Sequence, residues 1–205
     1  DEHVAERGTG GQRVGLLVPN ADAGVQFVRG LVGLLSGKPV AAVAEEVVAH
    51  AGELEHVVGQ HAVAAAREDL RDVREKLWNA RAFSVDVETS GVNKFKDVLE
   101  GVSLSTDTHC WFISMAESGQ GSEVTATDLH DALDTVFDDE TKIVLGHNIV
   151  FDIHFLDRFC HLVPRGEMWD TMTMAHLLYE VKMNHLGLKT LAPIFTGITL
   201  RDFKE

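Results

Sequence analysis

Cysteine is scarce in this chain. Of 205 residues only Cys110 and Cys160 carry a thiol, and two such residues make neither a zinc-ligand pattern nor a disulfide framework. Both read as small core residues, so a cytoplasmic location is the default expectation. Long hydrophobic runs are missing as well. Gly, Glu or His interrupts every apolar stretch well short of the roughly 20 residues that span a bilayer, and no signal-peptide arrangement opens the sequence. No membrane partner is expected. Basic residues are few, 18 Lys and Arg against 32 Asp and Glu, giving a formal net charge of −14. That balance argues against non-specific, long-range attraction to nucleic acid. It leaves nucleases open, because carboxylates that hold divalent cations enter the same count. A starting Met is absent too, and Asp1 in its place points to a fragment or a processed product.

What is present is an ordinary globular composition, 45% hydrophobic and 24% charged, long enough for one domain and an appendage. Two regions are expected. Residues 1–64 form a mainly helical N-terminal segment of unassigned function: a short strand over Arg13–Pro19, a helix from Asn20 to Leu35, and helices in the Ala-, Val- and Glu-rich stretch that runs on to Ala80. His50, His56 and His61 lack the spacing of a metal pair. Residues 65–205 form the second region, which opens on a helix ending near Trp78.

That second region is organised around Ala82-Phe83-Ser84-Val85-Asp86-Val87-Glu88-Thr89. In a strand, alternate side chains share a face, and successive residues rise about 3.3 Å. Asp86 and Glu88 therefore stand side by side, while Phe83, Val85 and Val87 face the core. Two carboxylates so placed can converge on one metal ion, and the same pair at a strand end also suits a solvated turn. Strands over 98–105 and 109–115 follow after short turns and complete an antiparallel meander. Thr127 is expected to cap a helix to Phe137, a strand Lys142–Leu145 follows, and a helix runs from Asn148 to Phe159. Its buried stripe is Ile149, Ile153, Leu156 and Cys160, with Asp152 one step from Ile149. A carboxylate there is costly to bury unless it is paired or holds a cation. Asp157 points to solvent. Met168-Trp169 and the cap Asp170-Thr171 start a helix through Tyr179, and another starts at Leu186. His147, His154, His176 and His185 read as surface or packing residues.

Three features stand in chain order: Asp86-x-Glu88 on a strand, Asn148-x-x-x-Asp152 on a helix, and Trp169-Asp170-Thr171. Together they resemble the DEDD superfamily of 3′-5′ exonucleases, and within it the proofreading domain of family A DNA polymerases, over about residues 65–205. The resemblance implies an α/β fold: a ribonuclease-H-like mixed sheet with an antiparallel meander and flanking helices. It implies hydrolysis of the 3′-terminal phosphodiester of single-stranded DNA with two Mg²⁺ or Mn²⁺ ions, held by hard carboxylate ligands. Asp86, Glu88 and Asp152 match the catalytic metal ligands. Thr89, Val92, Asn148 and Phe151 match positions around the terminal nucleotide, with Val92 in place of a more usual Leu and Phe151 in place of a frequent Tyr. A polymerase domain in the same full-length chain is the implied partner.

The family's third motif, Tyr-x-x-x-Asp or His-x-x-x-x-Asp, has no counterpart after Asp152. Tyr179 is followed four residues on by Met183, and His147 to Asp152 already belongs to the second motif. The domain is thus expected to be incomplete at its C-terminus, with weak metal affinity and little catalysis. Two other readings are a ribonuclease D-like exoribonuclease and a non-catalytic module that grips single-stranded ends.

Overall fold

A computed structural model describes residues 63–64, 66–106, 108–116, 123–178 and 186–196. The expected strand at 13–19 and helices before residue 63 lie outside the described residues. The element order is β1 (Val63–Ala64), α1 (Leu70–Asn79), β2 (Ala82–Thr89), β3 (Leu99–Ser105), β4 (Cys110–Ser114), α2 (Ala126–Phe137), β5 (Ile143–Gly146), α3 (Ile149–Cys160), β6 (Glu167–Asp170), α4 (Thr171–Leu178) and α5 (Leu188–Thr196). A single mixed sheet carries the strands in the order β1-β4-β3-β2-β5-β6. The meander β2-β3-β4 is antiparallel, whereas β2, β5 and β6 run parallel and are joined by helical crossovers. This is the ribonuclease-H-like α/β architecture.

The alternation in β2 behaves as its sequence dictates. Phe83, Val85 and Val87 are buried, while Asp86 is exposed and Glu88 half-buried on the other face. Helices α1, α2 and α3 close one continuous core over the sheet, with Leu77, Phe83, Leu133, Phe155 and Leu156 among its fully buried side chains. Phe83 meets Phe137 edge to face at 5.6 Å, tying the central strand to α2. Below the sheet, the buried Lys142 sends its Nζ to the carbonyls of Trp78 (2.5 Å) and Ala80 (2.8 Å). A cation there satisfies terminal carbonyls of α1 and complements the negative end of its dipole.

Three expected boundaries move. The cap of α2 is Thr125, not Thr127, because Thr125 and Asp128 form a reciprocal capping box. Met168 and Trp169 do not open a helix: parallel pairing with Val144 and Leu145 draws them into β6, and α4 starts at Thr171. Ile153 is only partly buried, and Phe155 takes its place in the stripe of α3.

Candidate active site

The sheet splays where the carboxylates stand. β5 pairs with β2 only from Ala82 to Ser84, so beyond Ser84 that edge of β2 has no strand beside it. Backbone donors on such an edge need other partners. Asp152 supplies one: its Oδ1 accepts the N–H of Val87 at 3.0 Å, and its side chain is only 3% exposed. One helix thereby brings its carboxylate to the backbone between Asp86 and Glu88. On the opposite edge β2 pairs with β3, and the register shifts so that Glu88 faces Gly101 while Thr89 faces Leu99. Glu100 is the extra residue of that bulge.

The charges confirm the crowding. Burial first, and the neighbouring Glu88 second, push the Asp86 carboxyl up to about 6. Solvent still reaches this side chain, so the protein crowded around it, rather than complete enclosure, is the cause. Asp152 is pushed up to about 8, by burial and then by the charge of Asp86. Glu88 is also raised, by burial and then by Glu100. Asp86 is the shared member of both pairs, with Glu88 on its own strand and Asp152 across the crevice. Among the described residues no three His, Cys, Asp or Glu side chains already sit close enough to enclose one ion. The donor set nonetheless suits a hard divalent cation. It is all carboxylate oxygen, it is centred on one shared residue, and its mutual repulsion is what bound positive charge relieves.

The remaining predicted residues divide. Thr89 donates its hydroxyl to Gly91 O at 2.7 Å and anchors the loop that follows β2. Val92 stands on that loop, 86% exposed. Asn148 is exposed in the left-handed region, φ 63°, where an Asn is tolerated, and its N–H reaches Asp170 Oδ1 at 2.9 Å. Phe151 is half-buried against the core with its ring 5.0 Å from that of Phe155. Asp157 is exposed, as expected.

Three supporting residues escape sequence reasoning. Asp170 caps α4, as expected, through Met172 N at 2.9 Å, and the same oxygen also holds Asn148. His147, half-buried, lies 2.9 Å from Thr171 Oγ1 through Nδ1 and donates Nε2–H to Leu186 O at 2.9 Å, so it joins the turn before α3 to α4 and α5. Burial lowers its pKa, which favours the neutral ring. Arg158 donates to Lys94 O (2.6 Å) and Asp97 O (2.9 Å), clamping the β2–β3 loop from α3. A signal existed only for His147, which adjoins Asn148 in the motif.

The model of the 3′-5′ exonuclease family matches residues 62–205. The chain belongs to that family. Solved structures share the exonuclease's fold at low identity. Escherichia coli RNase D superposes with a TM-score of 0.56 at 16% identity, covering 69% of this chain and 34% of that one. The catalytic core of RRP6 from Trypanosoma brucei gives 0.53 at 17%, covering 66% and 34%. Brucella melitensis NrnC gives 0.51 at 19%, covering 62% and 58%. The exonuclease thus spans less than two thirds of the length of each. No curated protein sequence matches it.

Proposed function

We propose that this exonuclease domain removes nucleotides from the 3′ end of single-stranded DNA in a metal-dependent hydrolysis, as the proofreading part of a DNA polymerase. The observation that supports it most is the convergence of Asp152 on the backbone of β2 between Asp86 and Glu88. Asp86, Glu88 and Asp152 would hold Mg²⁺ or Mn²⁺. When bound, such ions make a water nucleophilic at neutral pH and neutralise charge on the leaving 3′ oxygen.

The chain's own contribution is placement. Asp86 serves both neighbouring carboxylates, and the Val87 N–H fixes the rotamer of Asp152 before substrate arrives. Val92, projecting from the anchored loop, offers an apolar edge to the terminal base. Asn148, held through Asp170, and Phe151 line the approach on α3. In this reading the last metal ligand and the residue that orients the attacking water come from a third motif in a longer chain, so the 205-residue form is slow.

An exoribonuclease reading has support of its own, since the similar folds include RNase D and RRP6, and another structure of this fold is a Trypanosoma brucei RNase D complex with RNA U12. The test is one assay: matched DNA and RNA oligonucleotides, with Mg²⁺, Mn²⁺ or EDTA, on this chain and on one extended through a third motif. Metal-dependent loss of single nucleotides from DNA 3′ ends is the expected result. Preference for RNA supports the second reading, and tight binding without cleavage in the extended chain leaves only a gripping module.

A further inference from the structure

The loop between β2 and β3 begins one residue after Thr89 and is tied along its whole length. Ser90 and Val98 exchange two hydrogen bonds, Ser90 N to Val98 O at 3.1 Å and Val98 N to Ser90 Oγ at 3.0 Å. Asn93 closes the tip: its carbonyl accepts Lys96 N and Asp97 N, and its Oδ1 accepts Phe95 N at 3.1 Å. Arg158 then holds the carbonyls of Lys94 and Asp97 from α3. A Cβ at Gly91 would lie 2.5 Å from Asp97 Oδ2, so the two ends of the loop pack closely.

This well-held loop nevertheless exposes Val92 at 86% and Phe95 at 78%. A lone exposed apolar side chain is ordinary. Two on one short loop beside the carboxylate crevice, in a conformation fixed by hydrogen bonds, contribute nothing to the core. Their surroundings are cationic. Lys94 Nζ lies 5.4 Å from the Phe95 ring centroid and 3.0 Å from His154 Nε2, and Lys96 is exposed on the other side of Phe95 in sequence. In a chain of net charge −14, lysines flanking an open aromatic ring form a local exception.

We infer that Phe95, flanked by Lys94 and Lys96, is a second nucleotide subsite, on which a base behind the 3′ terminus stacks while the ammonium groups meet its phosphates. The inference rests on the exonuclease reading above and deepens it. Single-strand binding commonly pairs a flat aromatic face with backbone-neutralising cations, and it tolerates any base because every base has a π-face. The loop's hydrogen bonds mean that little ordering is required on binding. The lysines favour a polyanion over an apolar protein surface.

The test is fluorescence anisotropy of 5′-labelled dT8 and rU8, and of a labelled dinucleotide, with the 205-residue chain at low salt in EDTA and in Ca²⁺. Phe95→Ala is expected to weaken octamer binding about tenfold, the scale of one lost base stack, and dinucleotide binding much less. Phe95→Trp restores the octamer affinity. The double variant K94A/K96A reduces the slope of log affinity against log salt by about 1. If wild type binds no oligonucleotide, this subsite and the exonuclease reading fall together. If wild type binds and Phe95→Ala binds equally well, or if Phe95→Ala weakens dinucleotide and octamer alike, or if Phe95→Trp fails to restore affinity, the subsite alone is overturned.

Discussion

Asp152 and Val87 are joined across 65 residues of chain by one buried hydrogen bond, Val87 N–H to Oδ1 at 3.0 Å. The acceptor is a carboxylate that repels Asp86, so its hydrogen-bonding and charge roles can be separated. Asp152→Asn keeps an acceptor for Val87 and removes the repulsion. The metal-free variant is expected to melt at or a few degrees above the wild-type Tm, and to lose the Tm increase that Mn²⁺ gives wild type. Asp152→Ala orphans the N–H and costs about 1–3 kcal/mol. Melts of both variants with and without Mn²⁺ decide it; an Asn variant as unstable as the Ala variant would show that the charge itself holds the fold.

The same crowding sets a pH dependence. Unfolded, both Asp86 and Asp152 ionise near the model value of 3.8; folded, at about 6 and about 8. Between those limits the native state keeps protons that the unfolded state has released, so these groups lower stability as pH rises. In EDTA their contribution should fall progressively from about pH 4 to about pH 8 and be flat below that window. Saturating Mg²⁺ or Mn²⁺ should remove the decline. Denaturant midpoints measured across that range, in EDTA and in metal, check the sign.

Replacing both Asp86 and Glu88 by Ala should lower hydrolysis by the extended chain about a thousandfold or more, because metal stabilisation of the transition state is worth several kcal/mol. Neither side chain lies on the buried face of β2, so the circular dichroism spectrum should be unchanged. Undiminished cleavage by the double variant, or cleavage in EDTA, would rule out the mechanism.

Two glycines should respond oppositely to alanine. A Cβ on Gly166 would stand 2.1 Å from Lys142 O, a backbone atom that β6 pairing holds in place through Glu167 N at 2.9 Å. Gly166→Ala should therefore cost about 1–3 kcal/mol or more. At Gly187 a Cβ meets nothing within 4 Å, and Gly187→Ala should be neutral or stabilising by up to about 1 kcal/mol. Urea denaturation of the pair measures the contrast.

What sequence reasoning captured was local and periodic. The alternation Phe83, Val85, Val87 against Asp86, Glu88 specifies both a strand and its faces, and the meander follows from short turns between apolar runs. The stripe of α3 marked Asp152 as a carboxylate in the wrong place for solvent, which is where it proved informative. Four residues of β6 carry no readable period, and only their register with β5 makes them a strand. The shift of the α2 cap was within reach, since Thr125 and Asp128 have the capping-box spacing. Arg158 was not, because its acceptors are backbone carbonyls of Lys94 and Asp97, which any residue type presents.

The splay of β5 from β2 has a consequence for assembly. Strands β2, β3 and β4 are neighbours in sequence and can find one another quickly, but Asp152 reaches Val87 only after α2, β5 and α3 have been threaded back to the far side of β2. Non-local closures of this kind come late in folding. During synthesis the Asp86/Glu88 pair is therefore expected to emerge and order first as a half-built acidic edge. Metal uptake would then mark the docking of α3 and serve as a late clock for maturation of the domain.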